Sequence, residues 1–135
     1  MEMAQFKLDS FIFNKAELDF SKRKSGELAL MFTPMGKFSL SSKNYELNLL
    51  FMAKDSDGDN VISVNCLAFF SFQNVTALKD IPDFFYANCI AILFPYIRAF
   101  VSTLTLQANI PPIVLPTLNL SQLRSVLKEN TQEVK

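Results

Sequence analysis

The side chains best equipped for chemistry in this 135-residue chain are three aspartates and two cysteines, and histidine and tryptophan are absent. Asp55, Asp57 and Asp59 alternate within "KDSDGDN", a pattern that invites a calcium reading. An EF-hand loop counted from Asp55 calls for glycine at its sixth place and glutamate at its twelfth, where this chain has Asn60 and Cys66. The segment therefore reads as a hairpin turn built from Asp and Gly, and no metal site is expected. Cys66 and Cys89 lie far apart inside apolar runs and form no metal-spaced cluster. There is no glycine-rich phosphate loop and no glycine-flanked serine elbow. The residues argue against an enzyme, and no cofactor is expected.

Charge narrows the partners further. Thirteen basic and thirteen acidic side chains cancel, so the basic excess of a nucleic-acid-binding protein is missing. The one basic cluster, Lys22-Arg23-Lys24, stands beside Ser25-Gly26 and reads as a solvated turn. The opening "MEMAQFKLDS" has no charged stretch leading into an apolar one, so no signal peptide is expected. With two thiols in apolar surroundings, this points to a reducing, cytoplasmic location. The length suits one domain over residues 1–135.

The first half alternates at period two, the mark of half-buried strands. In "VISVNCLAFFSF", residues 61 to 72, every even position from Ile62 to Phe72 is apolar. Residues 45 to 54 alternate Tyr45, Leu47, Leu49 and Phe51 against Glu46, Asn48, Leu50 and Met52. A third run, 27 to 38, is interrupted by Pro34 and Gly36, which suits an edge or a bulge. The opening run "FKLDSFIFNKA" changes parity near Ser10, predicting a bulge there. After the connector "QNVTALKDIPD", Asp83 can cap a long helix over about 84–106. A proline-rich extended loop follows. A short helix over about 121–130 carries Leu123, Val126 and Leu127 on one side, and "TQEVK" is expected to fray. The prediction is an α+β domain: a four-stranded antiparallel meander sheet over about 6–72, then one long and one short helix.

The long helix, "FFYANCIAILFPYIRAFVSTLTL", decides most. At 1.5 Å per residue its roughly 23 residues match a bilayer core of about 30 Å. Arg98 near its middle would cost on the order of 2.5–3.5 kcal/mol there, so stable membrane insertion is not expected. Phe85, Cys89, Ile92, Tyr96 and Phe100 form one apolar stripe, while Ile90, Leu93, Phe94, Ile97, Val101 and Leu104 fill much of the remainder. One sheet covers only one side of such a helix. The first stripe is therefore expected at an interface between copies of the chain.

At these residues the chain resembles the SecB family of protein-export chaperones. That family carries a Cys-Pro-x-Ile-Leu-Phe-Pro-Tyr-x-Arg motif, matched here by Cys89, Ile92, Leu93, Phe94, Pro95, Tyr96 and Arg98. "PPIVLPTLNLSQL" follows in the place of the family's proline-bearing loop, and the strands follow the family order over roughly residues 6 to 123. The resemblance implies a homotetramer, a dimer of dimers with the long helices between sheets. It implies ATP-independent holding of unfolded precursor polypeptides, with the SecA motor as receiving partner. Ile90 replaces the motif proline, the chain is neutral where many bacterial members are acidic, and Ser63 stands where the SecA-docking face often has an acid. These departures bear on delivery to SecA, not on holding clients, and they keep open a SecB-like guardian of an antitoxin or other dedicated client.

The connector and the proline-rich loop are long, extended and apolar for loops, as client-binding surfaces are. The expected client-binding residues are Phe70, Phe72, Val75, Leu78, Ile81, Phe84, Ile110, Val114, Leu115 and Leu118. The alternative use of such an aromatic sheet is a pocket wall in a small-molecule carrier.

Overall fold

The computed structural model describes residues 5–21, 27–115 and 120–135. The strand β1 runs over Gln5–Leu18, β2 over Ala29–Ser39, β3 over Asn44–Lys54 and β4 over Asn60–Gln73. After β4 come the helices α1, Asp83–Gln107, and α2, Leu120–Glu129, and then the strand β5, Thr131–Val134. The α+β class and the helix order are those expected from the sequence. The basic cluster at 22–24 and Leu118 lie outside the described residues.

Alternation in the strands becomes one apolar sheet face. Tyr45, Leu47, Leu49, Phe51 and Ala53 of β3 stand beside Phe70, Ala68, Cys66, Val64 and Ile62 of β4, all fully buried. The strands β2, β3 and β4 form an antiparallel meander, and β1 docks on the far side of β4, giving the order β1-β4-β3-β2-β5. The β1–β4 pairing runs the full length of β1, from Gln5↔Gln73 to Leu18↔Ile62. Register shifts after Leu8 and after Phe13 reset the parity of β1. Asp9 and Asn14 take up the extra places, so that Phe6, Leu8, Phe11, Phe13, Ala16 and Leu18 all share the inner face. The parity change seen near Ser10 is the first of these bulges.

The tail does not fray. Residues 131–134 pair in parallel with Gly36–Ser39 of β2 and form a fifth strand. The N–H of Gly36 donates to the Asn130 carbonyl, so even-numbered β2 residues turn their N–H groups toward this edge. Pro34, which has no N–H to offer, sits two places earlier on the same edge, as its chemistry requires.

Tyr45 lies directly over Gly36. A methyl group on Gly36 would stand 1.8 Å from the tyrosine oxygen and 2.9 Å from Oγ1 of Thr131. The Thr131 hydroxyl donates to the Leu127 carbonyl at 2.7 Å and therefore accepts from Tyr45 Oη at 2.6 Å. Burial raises the tyrosine pKa well above its ordinary value, so the phenol stays a donor.

The helix α1 lays one line on this face: Phe85, Cys89, Leu93, Ile97 and Val101, flanked by Tyr86 and Ile90, all buried. It runs unbroken through Pro95, which sits on the exposed side. Asp83 is not the cap. Pro82 holds that position in extended geometry, and Asp83 is the first helical residue, its charge facing the positive helix end. Asp83 pairs with Lys128 of α2 at 2.7 Å, both exposed. On α2, Leu127 is buried and Leu123 half-buried, while Val126 is exposed.

Replacing Gly36 with alanine should push the Tyr45 ring off its site and destabilise the fold by about 1–3 kcal/mol, read as a lower urea midpoint.

Candidate functional site

The candidate surfaces lie at the two ends of α1, positioned by polar side chains that close on neighbouring backbone. At the first end the connector leaves β4 through Asn74, whose φ is +65°. The Asp80 carboxylate folds the connector by accepting the Thr76 hydroxyl at 2.8 Å and the N–H groups of Thr76 and Ala77, each at 3.1 Å. The Thr76 hydroxyl is the main reason that Asp80 titrates below the usual carboxylate range. Glu133 of β5 accepts the Leu78 N–H at 3.3 Å. A cavity of about 630 Å³ opens here, lined by Ala77, Leu78, Lys79, Ile81, Asp83, Tyr86, Lys128 and Glu133. Its floor is apolar and its rim charged.

Aromatic rings meet edge-on or tilted beside that end. Phe85 meets Phe6 at 4.8 Å, Tyr45 at 4.7 Å and Phe72 at 4.8 Å between ring centroids. Phe84 reaches Phe6 at 6.3 Å and is 45% exposed. At the other end, Ala108 to Ile110 close the helix. The N–H of Asn109 bonds the Leu106 carbonyl and that of Ile110 the Thr105 carbonyl, with Asn109 at φ +62°. The buried Thr105 hydroxyl, bonded to the Val101 carbonyl at 3.0 Å, accepts the Ile113 N–H at 3.1 Å. Ser102 donates to the Ile113 carbonyl at 3.1 Å. These bonds hold the proline-rich loop against the helix and leave Val114 63% exposed.

The predicted client residues therefore fall into two groups. Phe70, Phe72, Val75, Leu78, Ile81 and Phe84 gather at the start of α1; Ile110, Val114 and Leu115 gather at its end. From Phe84 to Ser102, 18 helical residues separate them by about 27 Å. Phe70, Val75, Ile81 and Leu115 are buried in the chain's own core, Phe72, Leu78 and Ile110 are half-buried, and Phe84 and Val114 are open. Of the stripe expected between copies, Phe85 and Cys89 lie under their own sheet. Phe100 stacks on Phe13 at 4.2 Å, and Tyr96 meets Phe11 at 4.5 Å yet remains 47% exposed, with Ile92 exposed beside it. Phe6 and Tyr86 at the first end escaped the sequence reading. Period-two spacing marks Phe6 only as a strand residue, and Tyr86 is one position off the stripe that begins at Phe85.

The groups that looked reactive are used structurally. Oδ1 of Asp55 accepts the N–H of Asp57 at 3.0 Å and of Asp59 at 3.1 Å, as a hairpin turn requires. Among the described residues, no cluster of His, Cys, Asp or Glu could hold a metal ion. Burial pushes the Cys66 thiol up to about 11 and Cys89 higher still, and both are free and fully buried. By length and composition α1 could cross a membrane, but a third of its most apolar window is buried. On the opposite sheet face, Asn65 donates to Asn14 at 2.8 Å and to Asn48 at 2.6 Å. Half-buried Ser63, Leu67 and Phe69 lie in line with it, so β4 offers that face no acid.

Sheet, helix order and apolar loops together define a SecB-like chaperone fold. The family described as preprotein translocase subunit SecB matches residues 10–131, and the chain belongs to the SecB family. It is 31% identical over 101 residues to the protein-export protein SecB of Magnetococcus marinus, covering 67% of this chain and 64% of that protein. To an uncharacterised protein of Methanocaldococcus jannaschii it is 40% identical over 76 residues, 53% of this chain and 48% of that one. The chain thus spans less than two thirds of either relative. Among solved structures, it resembles a SecB-like chaperone of Mycobacterium tuberculosis in complex with a peptide from the HigA1 antitoxin. The TM-score is 0.58 at 17% identity, covering 87% of this chain and 91% of that one. A protein of unknown function from Streptococcus agalactiae matches with a TM-score of 0.51 at 11% identity, over 86% of this chain and all of that one.

Two measurements follow. Neither thiol should react with a disulfide reagent at pH 8 until denaturant unfolds the chain, because the thiolate fraction of Cys66 there is on the order of one in a thousand. Asp80, lowered on folding, orders the connector above the ordinary carboxylate pKa. The ordering is lost as pH falls through the lower folded value, and the Thr76 and Ala77 amide resonances should report the change there.

Proposed function

We propose that this chain is an ATP-independent holdase that binds extended, unfolded or precursor polypeptides in the cytoplasm. The observation that carries the reading is the cavity at the start of α1, with its apolar floor of Leu78, Ile81 and Tyr86, while the open Phe84 ring stands at the same end of the helix against Phe6 of β1. Such a site takes an apolar or aromatic side chain of an extended segment, and the charged rim faces the client's backbone and polar groups. The second group, with Val114 at its outer edge, offers another contact about 27 Å along the same helix. Each contact is weak, and linking them through one client chain multiplies affinity.

Assembly belongs to the same proposal. The exposed flank of Ile92 and Tyr96 suits burial against sister copies, and a homotetramer formed as a dimer of dimers would supply it. Delivery to SecA is the conventional outcome for the family. A dedicated client such as an antitoxin is the second reading. Two observations favour it: β4 presents no acid on its outer face, and the mycobacterial neighbour carries an antitoxin peptide.

The protein should suppress light scattering by an aggregating unfolded protein, and no suppression at several-fold molar excess refutes the holdase reading. Phe84→Ala and Val114→Asp should each weaken client binding by about tenfold, or ~1.4 kcal/mol, without lowering thermal stability. Tyr96→Asp should shift sedimentation from the assembled species toward smaller ones.

A further inference from the structure

The strand β5 occupies a place where a client chain could lie. It has four residues, pairs in parallel, and leaves Gln132, Glu133 and Val134 exposed. Beyond its ladder with Gly36–Ser39, it is tied to the β2 edge at both ends. The Gly36 N–H donates to the Asn130 carbonyl at 3.2 Å, and the Leu40 N–H donates to the Val134 carbonyl at 2.9 Å. Thr131 accepts from Tyr45, and Glu133 accepts from Leu78. Parallel pairing is slightly weaker per residue than antiparallel, and so short an exposed strand opens at the low end of local free energies.

Position gives the strand its meaning. Pro34 leaves a gap in the row of outward N–H groups on β2, so the edge that offers donors beside the connector runs from Gly36 to Leu40, and β5 covers it. Glu133 and Lys128 line the 630 Å³ cavity together with Leu78, Ile81 and Tyr86. An extended chain that enters the cavity along the sheet edge meets the backbone groups that β5 already uses.

We propose that Thr131–Val134 is a displaceable strap, an internal stand-in for a client strand that shields the β2 edge and the mouth of the cavity until an unfolded chain replaces it. This rests on the holdase reading. A longer client strand carrying apolar side chains gains both the backbone pairing and the apolar floor of the cavity, whereas β5 brings only the Glu133 carboxylate to that cavity. Apparent affinity is then reduced by the fraction of molecules in which the strap is closed.

The test uses the full chain, Glu133→Ala, and a variant ending at Asn130, each titrated with fluorescently labelled, reduced and carboxymethylated α-lactalbumin, which cannot refold. Both variants should bind about three- to tenfold more tightly than the full chain. In the full chain, saturation with the client should accelerate hydrogen exchange in the peptide containing residues 131–135. Glu133→Ala keeps the strand backbone and answers even if the truncated chain does not fold. Unchanged or weaker binding by Glu133→Ala, or a C-terminal peptide that stays protected in the client complex, overturns the strap alone. Binding by none of the three overturns the holdase reading beneath it.

Discussion

The structure depends on one contact, the buried line of α1 against the apolar face of the sheet. Phe85, Cys89, Leu93, Ile97 and Val101 meet that face, and it is nowhere broken by a polar side chain between Ile62 and Phe70 on β4. Each large apolar side chain buried there contributes about 1.5–3 kcal/mol relative to exposure. Small residues, Gly36, Ala53 and Ala68, keep the face from filling up with side chains. Because the helix is apolar on more than one side, this contact also leaves Phe84, Ile92, Tyr96 and Leu106 outside. The residues that make the fold and the apolar residues left in the open are the two sides of one helix.

Polar groups in this protein mostly order loops. Asp80 folds the connector, Thr105 and Ser102 pin the proline-rich loop, and Asp55 closes the β3–β4 turn. Each satisfies backbone donors or acceptors that a long apolar loop would otherwise leave unmade, and the apolar side chains can then stay near the surface without collapsing into the core. Burial among hydrocarbon disfavours the thiolate at both cysteines.

The C-terminal segment joins these themes. Thr131 ties it to the Tyr45–Gly36 contact deep in the sheet, while Glu133 and Lys128 tie it to the connector and the start of α1. The surface pair of Lys128 with Asp83 is solvent-screened and holds little by itself. The segment is tied at both ends, through Thr131 to Tyr45 and through the Val134 carbonyl to the Leu40 N–H.

Strand parity, the first bulge of β1, the edge character of Pro34 and the two-sided helix could all be read from the sequence, because each is a local pattern that a backbone of fixed period must express. The helical motif carried the family for a similar local reason: its spacing places the matched residues on set faces of one helix. Which strand β1 would join was not local: its partner is β4, the last strand of the meander, and not its neighbour in the chain. That "TQEVK" would become β5 depended on an edge supplied by residues almost a hundred positions earlier. The cavity likewise needed the connector, α1, α2 and β5 together, so neither Tyr86 nor Glu133 could be assigned to it from sequence alone. Period and side-chain type settled what each segment would bury, and only tertiary packing, which brings distant backbone edges within hydrogen-bonding range, decided what each segment would touch.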